Sequence, residues 1–206
     1  VVSIVSIFFA FCNVLITGGL NTALNKKKDA GVEDYSTVLH VSMLLAAVLY
    51  AVMYFAAPWI ARTYEKDLLV PIIRVMSLTL FINAFTSVLS AYASSNLQFK
   101  KFFFSTVIGT VVSAFAGILM AINGFGAWAL VTQQMANALC NAIVLYFTTR
   151  LRIVWKISLS RLMQLFSYGS KIFVASIISV IYDQINPLII GLRFTSTDLA
   201  YYTKGQ

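Results

Sequence analysis

Six stretches of about 20 predominantly apolar residues decide what this chain can fold into. They are Val1–Leu24, Thr37–Ile60, Pro71–Ala93, Ser105–Asn123, Ala127–Phe147 and Ser170–Leu192. Twenty residues of α-helix rise about 30 Å, the thickness of a bilayer's hydrocarbon core. The runs are continuous rather than alternating segments of about 10 residues, so they read as helices and not as barrel strands. Composition agrees: 60% of the chain is hydrophobic and 11% charged, against about 45–50% and about 25% in soluble domains. Too little polar surface remains to cover a water-facing globule. A soluble enzyme, a disordered chain and a secreted disulfide scaffold are excluded. The expected fold class is an all-α polytopic membrane protein with about six transmembrane helices.

The short connections carry their own signals. Pro58 is expected to close the second span, and Pro71 suits the first turn of the third. The Asn123–Gly126 sequence NGFG reads as a tight hairpin between the fourth and fifth spans. Of the fifteen Lys and Arg residues, ten fall in three loops. These are Lys26, Lys27 and Lys28; Lys100 and Lys101; and Arg150, Arg152, Lys156, Arg161 and Lys171. The alternate side holds Arg62, Lys66, Arg74, Arg193 and Lys204. Basic residues concentrate in cytoplasmic loops, so the three richer loops are expected inside and the first span runs outside to inside. The net charge of +8 therefore reflects loops beside anionic membrane lipids, and no basic run is long enough for a nucleic-acid groove. Cys12 and Cys140 sit within apolar runs as small core residues, with no metal-binding spacing. The opening VVSIVSIFFA lacks both Met and a basic flank, and the chain stops at YYTKGQ; it reads as an internal fragment of a longer protein.

No catalytic constellation is present. The sole His40 lies near a span end, and no Ser-His-Asp set, zinc motif or phosphate loop accompanies it, so no cofactor is expected. The chemistry sits instead in polar stripes within the spans. Thr79, Asn83, Thr86, Ser90 and Ser94 follow one helical face; Gln133, Asn137 and Asn141 follow another, with Gln134 beside them. Ser176, Ser179, Asp183 and Asn186 line a third. Such residues either bond helices together or face a water-filled pathway. Asp183 is the one acid deep within a span, and Pro187 removes the helical donor of its carbonyl, a pairing found in helices that move. Between the fifth and sixth spans, Trp155, Leu159, Leu162 and Phe166 make an apolar stripe with basic neighbours, which reads as a helix lying in the membrane interface or else as an ordinary polar loop.

The ordered segments GGLNTALNKKKDAGVEDYSTV, PIIRVMSLTLFINAF, SNLQFKKFFF, NGFGAWALVTQQ, LFSYGSKI and SVIYDQINPLIIGLRFTSTDLAYYTKGQ resemble the polysaccharide-transporter flippases. These belong to the multidrug/oligosaccharidyl-lipid/polysaccharide exporter superfamily. The resemblance implies two bundles of about six helices around a central cavity, roughly 12–14 helices in all. On it, residues 1–147 form helices two to six of the first bundle. Residues 148–169 are then a cytoplasmic interfacial connector, and 170–206 open the second bundle and its outer loop. It implies passage of an oligosaccharide on undecaprenyl diphosphate from inner to outer leaflet of a bacterial inner membrane. A polysaccharide polymerase or export machinery would be the protein partner. The pathway residues would be Arg74, Asn83, Gln133, Asn137, Asn141, Lys171, Asp183 and Asn186. Arg74 and Lys171, near opposite ends of their spans, would receive the diphosphate inside and hand it outward, or else snorkel to the interface. Two other functions stay open: a multidrug–cation antiporter using Asp183, and a membrane-embedded glycan polymerase or ligase.

The charge pattern makes the orientation testable. Lys27→Cys and Lys66→Cys, placed singly in a background lacking Cys12 and Cys140, are exposed to an impermeant thiol reagent on intact cells. Labelling at position 66 with protection at 27 is expected; the reverse would overturn the orientation.

Overall fold

A computed structural model of the chain describes residues 2–17, 21, 23–24, 31–149, 170, 172–179 and 181–182. Every regular element among them is a helix: α1 Val2–Thr17, α2 Val32–Thr63, α3 Leu69–Ser77, α4 Thr79–Ser95, α5 Phe99–Ile122 and α6 Ala127–Thr149. Three rods are long and apolar enough to cross a membrane: α2, the joined α3–α4 unit Leu69–Ser95, and α5. Helix α6 has 23 residues, but its four amides dilute its hydropathy. The α3–α4 rod is central, packing against α2 on one side and α6 on the other, while α1 lies across it and α5 packs chiefly on α6. The all-α membrane architecture read from the sequence is therefore the one observed. The expected interfacial helix over Trp155–Phe166 and most of the sixth span lie outside the described residues.

The helices stop by one device used three times. After α2, the Lys66 N–H donates to the Ala61 carbonyl at 3.0 Å and Glu65 N–H to Arg62 at 3.2 Å, with Glu65 at φ 51°. After α4, Gln98 donates to Ala93 at 2.8 Å and Leu97 to Ser94 at 3.0 Å, with Leu97 at φ 55°. After α5, Phe125 donates to Met120 and Gly124 to Ala121, with Gly124 at φ 80°. A left-handed residue thus turns the chain and satisfies the last carbonyls in each case. Two expectations change accordingly. Pro58 does not close the second span: it deprives only the Tyr54 carbonyl of its donor, and α2 continues to Thr63. Lys100 and Lys101 lie in the first turn of α5 rather than in a loop. The α2 start is capped by the Asp34 carboxylate, which accepts from the Gly31 N–H at 2.9 Å.

The core has two apolar clusters stacked along the bundle. One gathers Phe9, Ala46, Met53, Ile72, Ile73, Leu80 and Ala84 toward the Gly124 end. The other gathers Leu24, Val38, Leu39, Val88, Leu89 and Leu145 toward the Gln98 end. Polar side chains interrupt them at mid-bundle: Ser42, buried on α2; Asn21, whose Nδ2 donates to Ser87 at 2.8 Å; and Asn13, bonded to Asn83. Small residues let the outermost helix approach. On α5 only Ser105, Gly109, Ser113 and Gly117 are buried, one every fourth position, all against α6. Val111, Phe115, Ile118 and Leu119 on the other faces are exposed, as suits lipid contact.

At its two glycines the ridge has little room for a side chain. A Cβ at Gly117 would stand 3.0 Å from the Gln133 Cβ, and one at Gly109 3.3 Å from the Asn137 carbonyl oxygen. Gly117→Leu is expected to cost about 1–3 kcal/mol through overpacking. It should lower the melting temperature in detergent by several degrees, whereas Ile118→Leu should not. Equal melting temperatures would mean that α5 does not pack on this ridge.

Candidate functional site

At mid-length of the bundle, the polar layer opens into a cavity of about 290 Å³ between α1, the α3–α4 rod and α6. Met76, Thr79, Asn83 and Thr86 face it from the central rod at steps of three, four and three, which is one helical face. Helix α6 contributes Gln134, Asn137, Ala138 and Asn141, and α1 contributes Phe9 and Asn13. Thr79 to Thr86 lie midway along Leu69–Ser95, and Gln134 to Asn141 midway along α6. The cavity therefore sits at the depth where a bilayer would be least polar.

Four of the five lining amides are held by a bond to another helix. Asn83 Nδ2 donates to Asn13 Oδ1 at 2.8 Å, joining α4 to α1. Asn137 Nδ2 donates to Ser113 Oγ at 3.2 Å, and Ser105 Oγ donates to Asn141 Oδ1, joining α6 to α5. An amide offers both donor and acceptor groups. These bonds leave Asn13 Nδ2, Asn83 Oδ1, Asn137 Oδ1 and Asn141 Nδ2 without hydrogen bonds among the described residues. The threonines donate within the α3–α4 rod, Thr79 Oγ1 to the Met76 carbonyl at 2.6 Å and Thr86 Oγ1 to the Ile82 carbonyl at 2.8 Å, keeping their oxygens available as acceptors. The first of these sits where α3 meets α4, and Leu78 N–H reaches back only to Val75, at 3.1 Å. That tightened turn borders the cavity. Among the described residues, no titratable side chain lines it. The space is polar and has room for on the order of ten water molecules.

The pathway residues expected from sequence separate here. Asn83, Asn137 and Asn141 come together around the cavity. Gln133 turns to α5, where its Cβ, Cγ and Cδ cover Gly117, and its neighbour Gln134 faces the cavity. Arg74 is not among the lining residues: its guanidinium carbon stacks 4.2 Å from the centre of the Tyr54 ring on α2, and its buried Nε has no hydrogen-bond partner. Lys171, Asp183 and Asn186 lie outside the described residues. Asn13 was missing from the sequence-derived set, although a single amide in the apolar run FFAFCNVLIT is a legible signal.

The profile of a family described as polysaccharide biosynthesis protein matches residues 1–206. The chain belongs to this family. The succinoglycan biosynthesis transport protein ExoT of Rhizobium meliloti (strain 1021) is 25% identical over 153 residues, which is 73% of this chain and 31% of that protein. The chain thus spans about a third of the curated relative it matches. No solved structure matches it. This member of the polysaccharide biosynthesis family is a multi-pass membrane protein of a polysaccharide transporter family, as its segments suggested.

A hydrated cavity has a direct signature. Ala138→Cys, in a background without Cys12 and Cys140, is expected to react with a small neutral thiol reagent at least about tenfold faster than Ile118→Cys, because a thiol ionises readily only in contact with water. Equal rates would mean that the cavity is closed and dry.

Proposed function

We propose that this chain is part of a flippase that carries a lipid-linked oligosaccharide, on undecaprenyl diphosphate, from the inner to the outer leaflet of a bacterial inner membrane. The observation that carries the reading is the uncharged polar cavity at mid-bundle in a member of a polysaccharide transporter family. Sugars and a diphosphate cross hydrocarbon only at high cost, because desolvation removes the hydrogen bonds of each polar group. A hydrated, amide-lined space replaces those bonds while the prenyl tail stays in lipid. Rocking of two bundles would expose it alternately to the two sides. With no nucleotide-binding motif in the sequence, an ion gradient or consumption of the product outside would set the direction. A polymerase or export machinery is the natural recipient.

Arg74, Lys171, Asp183 and Asn186 enter this proposal as further pathway residues, with the two cations gripping the diphosphate. The Arg74 fork has an unused buried Nε and rests on an aromatic face, a geometry that keeps its remaining N–H groups oriented. The polymerase or ligase reading needs a catalytic outer loop, whereas the α2–α3 and α5–α6 connections are turns of a few residues.

Deletion of the complete gene separates the readings. A flippase predicts lipid-linked glycan accumulating in the inner leaflet, restored to the parent level by the full-length protein. In the same strain Arg74→Gln should reduce surface glycan about tenfold at unchanged protein abundance, with Arg74→Lys recovering only part of it, because the planar fork is lost. Normal glycan export with loss of drug tolerance would instead identify an antiporter.

A further inference from the structure

We infer that the cavity is a subsite for one neutral sugar ring of the cargo, an inference that rests on the flippase reading and narrows its substrate class. Three features of the lining carry it. The first is mixed hydrogen bonding: Asn13 Nδ2 and Asn141 Nδ2 donate, while Asn83 Oδ1 and Asn137 Oδ1 accept. A sugar hydroxyl both donates and accepts, so a ring bearing several hydroxyls can satisfy such a set. A bare cation would leave the donors unsatisfied, and a phosphate would leave the acceptors facing negative charge. The second is neutrality. With no titratable side chain among the described lining residues, a uronate or amino-sugar charge would meet no opposite charge there.

The third feature is shape. Phe9, Met76 and Ala138 supply apolar surface beside the amides, matching the C–H face of a sugar ring. A volume of about 290 Å³ lies at the small end of ligand pockets, enough for one ring and not for an oligosaccharide repeat. The donors and acceptors of Asn13, Asn83, Asn137 and Asn141 are also preorganised, since each of these four is fixed by its bond to another helix. Little side-chain freedom is left to lose when a ring binds.

The test uses the full-length protein in nanodiscs, with Ala138→Cys as reporter in a background without Cys12 and Cys140. A neutral methyl hexoside panel at about 50 mM, the range a lone small ring requires, is compared with the matching hexuronic acids. At least one neutral hexoside should slow thiol labelling about threefold or more, the hexuronates should not, and Asn83→Leu should abolish the protection. Gln134 makes no hydrogen bond to another helix among the described residues, so Gln134→Cys is a second reporter if Ala138→Cys does not fold. Absence of protection by every neutral hexoside, or equal protection by both classes, would overturn the subsite. Translocation of a prenyl diphosphate-linked hexose is measured on the same protein in vesicles. Protection without translocation would sink the flippase reading and keep the subsite; translocation without protection would sink the subsite alone.

Discussion

In hydrocarbon an apolar side chain is solvated about as well by lipid as by a neighbouring helix, so burial alone cannot draw these helices together. Close contact and interhelical hydrogen bonding must do it, and the bundle divides the two tasks. Helix α5 is held by its small-residue ridge, Ser105, Gly109, Ser113 and Gly117, which lets the α6 backbone approach within van der Waals contact. Helix α1 is held by the Asn13–Asn83 amide pair, and α6 adds bonds from Asn137 and Asn141 to the α5 hydroxyls. Such bonds contribute about 0.6 kcal/mol each on average in membrane helices. Several in one layer are needed to fix the register.

The same residues explain why a cavity exists where packing would otherwise be densest. An amide has more hydrogen-bonding groups than one neighbour can satisfy. At mid-bundle Asn13, Asn83, Asn137 and Asn141 each bond a neighbouring helix and also line the cavity. The apolar clusters pack around these side chains, and Phe9 and Met76 of the first line the cavity themselves. The α3–α4 junction at Leu78 lies beside it.

Much of this was legible because helical periodicity survives in membrane sequences. The unbroken apolar runs marked the helices, and the spacing of Thr79, Asn83 and Thr86 marked a shared face. The hairpin at Asn123–Gly126 was legible because glycine adopts positive φ without strain. Its counterparts at Glu65 and Leu97 were not, since these side chains rarely take that conformation and nothing local announces it. For the same reason the α5 start at Phe99 was placed several residues too late. The choice between Gln133 and Gln134 was beyond sequence alone. Adjacent positions differ by about 100° around the helix, and the packing of Gly117 on α5 decides which of the two faces the cavity. Asn13 stood out as a lone amide in an apolar run, but with no period to follow nothing in the sequence showed which face it takes.

In the proposed flippase the amides that join the helices also serve the cargo. Replacing both members of a buried hydrogen-bonded pair by apolar residues of similar size can be nearly neutral for stability, because no orphaned polar group remains. The Asn13→Leu/Asn83→Leu double variant of the full-length protein therefore separates the two roles. The decisive measurement is its initial rate of lipid-linked glycan translocation in reconstituted vesicles, at matched insertion and melting temperature. A loss of about tenfold or more is expected, the loss of two hydrogen bonds to cargo; translocation at the parent rate by a stably folded double variant would show that the pair serves packing alone.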